Sequence, residues 1–213
     1  MTLNRLLLLG LLLGLGGWWH ASRQPGRDAV PVAVDAGVRC PPPPVSHRSG
    51  PPLQSPAPEG MPPFAMPGSR LLPLAGISLQ ARVLSRHDYH SGREAHWSPT
   101  DLALGWEGMA HEDVLARLEI RQSGRWYHYR WEGQPPLPPS EIARSSANMH
   151  MIPADAEVAR TLAAVEPGQQ VRIDGWLVEV RADDGWRWRS STRRDDTGAG
   201  ACEVVYVCGI AAR

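Results

Sequence analysis

The residue types able to do chemistry gather in two stretches of this chain. The first is Ser190-Ser191-Thr192-Arg193-Arg194-Asp195-Asp196-Thr197-Gly198-Ala199-Gly200, where hydroxyls, guanidinium groups and glycine backbone together can cradle a small anion or a sugar. Arg189, Arg193 and Asp196 would make the contacts; the alternative is a solvated loop whose charges pair locally. Just before it, Trp186 and Trp188 share one face of an expected strand while Arg187 and Arg189 share the other. The two indoles form either a stacking platform for a flat ligand or a piece of core. The second stretch, Asn148-Met149-His150-Met151, sets one imidazole between two thioethers, which gives His150 a polar edge toward a pocket or a structural hydrogen bond.

A nucleophile reading takes Cys202 or Ser191, with His150 as base and Asn148 or Asp196 to orient it. It requires proximity across the chain that spacing does not display, and a cysteine at the start of a strand is ordinarily a small buried hydrophobe. A metal reading takes His87, Asp88, His90 and His96, four donors within ten residues. Their spacing matches no tight zinc pattern, so a solvated loop is the expectation and no cofactor is expected.

Composition removes other mechanisms. All 22 basic residues are arginine, so neither a phosphate-binding P-loop nor a lysine Schiff base can operate. Acidic residues also number 22; with no net field, nucleic acid is not an expected partner. Three cysteines, Cys40, Cys202 and Cys208, leave at least one thiol outside any disulfide. Cys202 and Cys208 on one extended strand would stand too far apart to bond to each other.

These groups must be carried to their place of work, and the N-terminus gives an address. Arg5 precedes an apolar run of 14 residues, Leu6 to Trp19, short beside the roughly 17 to 25 that a membrane-spanning helix uses. The cleavage pattern Gly14-Leu15-Gly16 is weak and Trp18-Trp19 suits an interfacial belt, so residues 1–23 read as an uncleaved inner-membrane anchor. The chain would then be single-pass, with its C-terminal domain in the periplasm. Residues 24–71 read as a disordered tether: 14 of the 21 prolines fall between Gln24 and Pro73, a composition that cannot offset its ordering entropy by burial.

Residues 72–213 remain for one β-rich domain. Ile77, Leu79, Ala81 and Val83 alternate with polar residues as a half-buried strand does. Ser98-Pro99-Thr100-Asp101 reads as the start of a short helix. Leu118–Gln122 and Arg125–Trp131 read as a hairpin, and a helix follows Pro135–Pro139. Val158, Leu162 and Val165 mark a further helix stopped by Pro167-Gly168. Parity changes across Gly175, which suggests a bulge that reverses the facing of its strand. Asp183-Asp184-Gly185 closes a hairpin, and a last strand runs near Glu203–Val207. The fold class expected is α+β, a small antiparallel β-barrel or strongly twisted sheet, OB-like by analogy, with two short helices.

Around "SSANMHMIPA" and "GWRWRSSTRRDDTGAGACE" the chain resembles a group of uncharacterised proteobacterial membrane-anchored envelope proteins, over roughly Leu72 to Val207. The group has no established activity, so the resemblance implies an address and no mechanism. Two functional readings follow. One is a non-catalytic, membrane-tethered envelope module that binds an envelope protein or a small anionic or sugar ligand. The other is a periplasmic hydrolase using His150, Asp196 and Cys202 or Ser191.

Overall fold

The computed structural model of the chain describes residues 40–46, 50–193 and 202–213. The expected anchor, the linker up to residue 39, and Asp196 with its neighbours in the glycine-rich loop lie outside the described residues. No helix among the described residues is long and apolar enough to cross a membrane.

In chain order the elements are β1 (Leu53–Pro56), β2 (Phe64–Met66), β3 (Ser69–Asp88), β4 (Thr100–Gly105), α1 (Glu112–Leu115), β5 (Glu119–Ser123) and β6 (Trp126–Arg130). There follow α2 (Pro139–Arg144), β7 (Ser146–Pro153), α3 (Ala156–Ala164), β8 (Gln170–Ala182), β9 (Arg187–Arg189) and β10 (Glu203–Ala212). The fold is α+β and mostly sheet, with a twisted, non-barrel sheet and, among the described residues, three helices rather than two. Hydrogen-bonded neighbours run β1-β3-β4-β7-β10-β8-β9, and β3 also pairs with β8. Among the described residues only β7 and β10 run parallel; the other pairs are antiparallel. The β5–β6 hairpin stands apart as a two-stranded sheet of its own.

Local chemistry accounts for the elements. Ile77, Leu79, Ala81 and Val83 all enter the main core, as their alternation predicts. The α3 helix starts at Asp155, whose Oδ1 accepts from the N–H of Glu157 and of Val158, each at 2.8 Å, and it turns Val158 and Leu162 inward. The β5–β6 turn uses Gly124 at φ 58° and Arg125 at φ 69°, the left-handed pair that a type I′ hairpin turn requires.

Four expectations need correction. Ser98–Asp101 starts no helix: Ser98 is buried and Thr100 opens β4, because Leu102 and Leu104 fill the core between β3 and β7 and strand pairing overrides the local cap. Gly175 does not reverse its strand. Val171, Ile173 and Leu177 face the main core, whereas Trp176, Val178 and Val180 face a second cluster with Phe64 and Tyr206, so β8 is buried on both faces. What Gly175 provides is close approach, since a Cβ there would stand 2.2 Å from the Tyr206 carbonyl oxygen on β10.

The tether boundary also moves, because strands β1 and β2 lie inside the segment expected to be disordered. Cys40 is disulfide-bonded to Cys208, Cα to Cα 5.2 Å, and the Trp176 indole N–H donates to the Pro41 carbonyl at 2.8 Å. Pro43 packs beside Gly76. Prolines that look like a spacer by composition are here fastened by a covalent bond and an indole from the far end of the chain. The last correction is the helix count, α1 being a single turn that the sequence pattern did not announce.

Candidate functional site

A strand buried on one face by the core offers its other face to whatever lies outside. On β4 and β7 the polar residues opposite the main core include Asp101, Asn148 and His150, with Asp101 and His150 directly cross-strand. Asp101 is 0% exposed and His150 2%. A buried carboxylate must be paired, and here Asp101 Oδ1 lies 2.9 Å from His150 Nδ1 and 2.8 Å from Arg125 Nη1.

Arg125 comes from the tip of the β5–β6 hairpin. Its Nη1 also donates to the Ser98 carbonyl at 2.9 Å, and its guanidinium carbon sits 3.7 Å from the Tyr89 ring centroid and 5.9 Å from that of Trp188. Its backbone is held as well: the amide donates to the Tyr89 hydroxyl at 3.0 Å, and the carbonyl accepts from Asn148 Nδ2 at 3.0 Å. Gln122 Nε2 donates to Asn148 Oδ1 at 2.7 Å. Burial raises the Tyr89 hydroxyl above its usual range, with the Asp101 charge adding to it.

Beside this cluster runs a line of rings. Trp188 lies 4.8 Å from His150 and 6.2 Å from Trp186, and Trp186 stacks on Trp97 at 5.0 Å and 11°. Arg93 sits 4.8 Å over Trp186 and pairs with Asp184. The Trp97 indole N–H is satisfied by Ser69 Oγ at 2.8 Å. Trp186 and Trp188 remain half-buried, which leaves part of each ring available to a ligand.

The other sequence candidates divide. Cys202 stays outside the disulfide, partly buried, with its thiol 3.9 Å from the Arg125 carbonyl, so it belongs to the cluster's edge. Ser191 is buried and its Oγ accepts from the Arg193 amide at 3.0 Å in a tight turn. Arg193 is exposed there. Arg189 faces away from the indoles and donates to Glu179 at 2.6 Å, sharing that carboxylate with Arg181 at 2.6 Å. His87 packs on Tyr89 at 4.5 Å, His96 meets Trp97 edge-on at 5.0 Å, and His90 is exposed. Among the described residues no three His, Cys, Asp or Glu side chains gather to hold a metal ion, which leaves the histidine set unassembled.

Hydrogen bonding from Arg181, helped by Arg189 and opposed by burial, holds the Glu179 carboxyl below its ordinary range. A depressed carboxyl contributes stability that is present above its unfolded value of about 4.3 and is lost as pH falls through the native value. Glu179→Gln therefore removes part of the acid-side fall in stability. Urea midpoints taken from neutral pH downward should show a shallower slope for the variant; parallel slopes would assign no linkage to this carboxylate.

Sequence reasoning missed Asp101, Arg125 and Tyr89. The available signals were a carboxylate between apolar alternating residues, Thr100-Asp101-Leu102, and an arginine in the second turn position where glycine is usual. Compared with known proteins, the chain matches no family model, no curated protein and no solved structure.

Proposed function

We propose that this chain is a membrane-tethered cell-envelope module, single-pass in the inner membrane with its domain in the periplasm, that acts by binding rather than by catalysis. The observation that carries it is the pair of half-buried indoles, Trp186 and Trp188, lying beside the buried Asp101–His150–Arg125 cluster. Aromatic faces that keep an accessible side next to polar groups fit recognition surfaces. The address draws support from the Cys40–Cys208 disulfide, a bond that persists in oxidising compartments.

An OB-like arrangement is the finer fold reading. It is supported by β3 pairing with both β4 and β8, by the order β3-β4-β7-β10-β8, and by α3 falling between β7 and β8. In such folds ligands lie on the outer face of the second and third strands, between the first and last loops. Here that face carries Asp101 and His150, and those loops carry Trp97 and Trp186.

The arginines narrow the ligand. Arg93 and Arg125 are neutralised by Asp184 and Asp101, and Arg189 shares the Glu179 carboxylate with Arg181, which favours a protein partner or neutral ring over a small anion. The test is a photoreactive phenylalanine at Trp186 in the full chain, illuminated in cells, against the same residue at exposed Arg160 on α3. A discrete adduct from position 186 alone is expected. Equal adducts from both positions, or none from either, would overturn the reading.

A further inference from the structure

The β5–β6 hairpin is fastened in two unlike ways. Its base is apolar: Ile120, Tyr129 and Trp131 pack with Met109, Val114 and Ile142. Its tip is held by polar contacts, those of Arg125, Gln122 and, through its hydroxyl to Ser146, Tyr127. Among the described residues the strands pair only with each other, and a lone hairpin is marginal without such support. The base is an apolar anchor and the tip a polar latch.

What the latch enters has the chemistry of a guanidinium receptor. Asp101 supplies a buried carboxylate, Ser98 a carbonyl, and Tyr89 and Trp188 supply ring faces to a planar cation. Arg125 fills it imperfectly. Its backbone holds φ 69°, a left-handed conformation that costs a non-glycine residue free energy, and its buried Nη2 has no hydrogen-bond partner among the described residues.

We infer that the Asp101–Tyr89–Trp188 seat is a binding site for a guanidinium group, which Arg125 occupies in cis and which an arginine side chain of a peptide partner takes when the hairpin tip lifts. The inference deepens the binding reading and rests on it: the partner meets the indoles and places its arginine in the seat.

The probe is agmatine, with 1,4-diaminobutane as the control of equal charge and no guanidinium plane, applied to the full chain in detergent. In the wild-type protein agmatine should accelerate hydrogen exchange of the Gln122–Tyr127 amides and leave β8 unchanged, with 1,4-diaminobutane inert. Removing the internal competitor in Arg125→Ala should tighten agmatine binding by about tenfold or more, because the open seat is then fully populated, and Asp101→Asn should abolish the response. Unchanged exchange at the tip in the wild type, or equal responses to both amines, would overturn the seat, and neither result depends on a variant folding. If agmatine fails while position 186 still crosslinks, the seat is wrong and the binding face stands; if both fail, the binding reading falls as well.

Discussion

Asp101→Ala should destabilise the domain by about 3 to 5 kcal/mol, the cost of removing one member of a buried ion pair and leaving the other uncompensated. The carboxylate is fully buried and meets both Arg125 and His150. Its loss strands a guanidinium and an imidazole together on one sheet face, and it releases the hairpin tip. Urea unfolding measures the effect, and hydrogen exchange should quicken first around Arg125. Asp101→Ala combined with Arg125→Ala should cost less than the sum of the two single changes, because groups in one network couple by about 0.5 to 3 kcal/mol. A single-variant loss below about 1 kcal/mol would mean that the pair contributes little.

The second large effect concerns the disulfide that clasps Cys40 to Cys208. Replacing Cys40 and Cys208 with serine should cost about 3 to 5 kcal/mol, since the bond closes a sequence separation of 168 residues and limits the unfolded chain accordingly. The consequence should concentrate where the covalent bond holds the proline segment. Pro41 loses its anchor and its carbonyl should part from the Trp176 indole, so limited proteolysis should cut near residues 40–46 in the variant and spare them in the oxidised protein. Equal protease resistance in both would show that packing of Pro43 beside Gly76 suffices.

How much of this was legible depended on whether the causes were local. The α3 helix, the β5–β6 hairpin and the alternation of β3 carry their reasons within a few residues: the Asp155 cap, the Gly124 turn, the period of two. Strand β8 was misjudged at Gly175 because a strand buried on both faces lacks the polar alternation that reveals facing. The proline segment was misjudged because its partners, Trp176 and Cys208, lie 135 and 168 residues away. Ser98–Asp101 carries a sound helix-start signal, overruled by neighbours on β3 and β7.

The site divides along the same line. His150 and the indoles stood out by residue type, and the structure brings Trp188 onto His150. Asp101 and Arg125 did not, because each looks like a surface charge until the hairpin folds over the sheet. Arg125 breaks a local rule, an arginine where the turn favours glycine, and such a conflict marks a position held for its side chain.

A domain standing on the oxidising side of a membrane keeps a record of it in its three cysteines. Full-length protein should be quenched in acid from living cells and alkylated under denaturing conditions without reductant. One modified thiol, Cys202, is the predicted result, with Cys40 and Cys208 protected as the disulfide. Three modified thiols would place the domain in a reducing compartment and contradict the export, the clasp and the envelope role together.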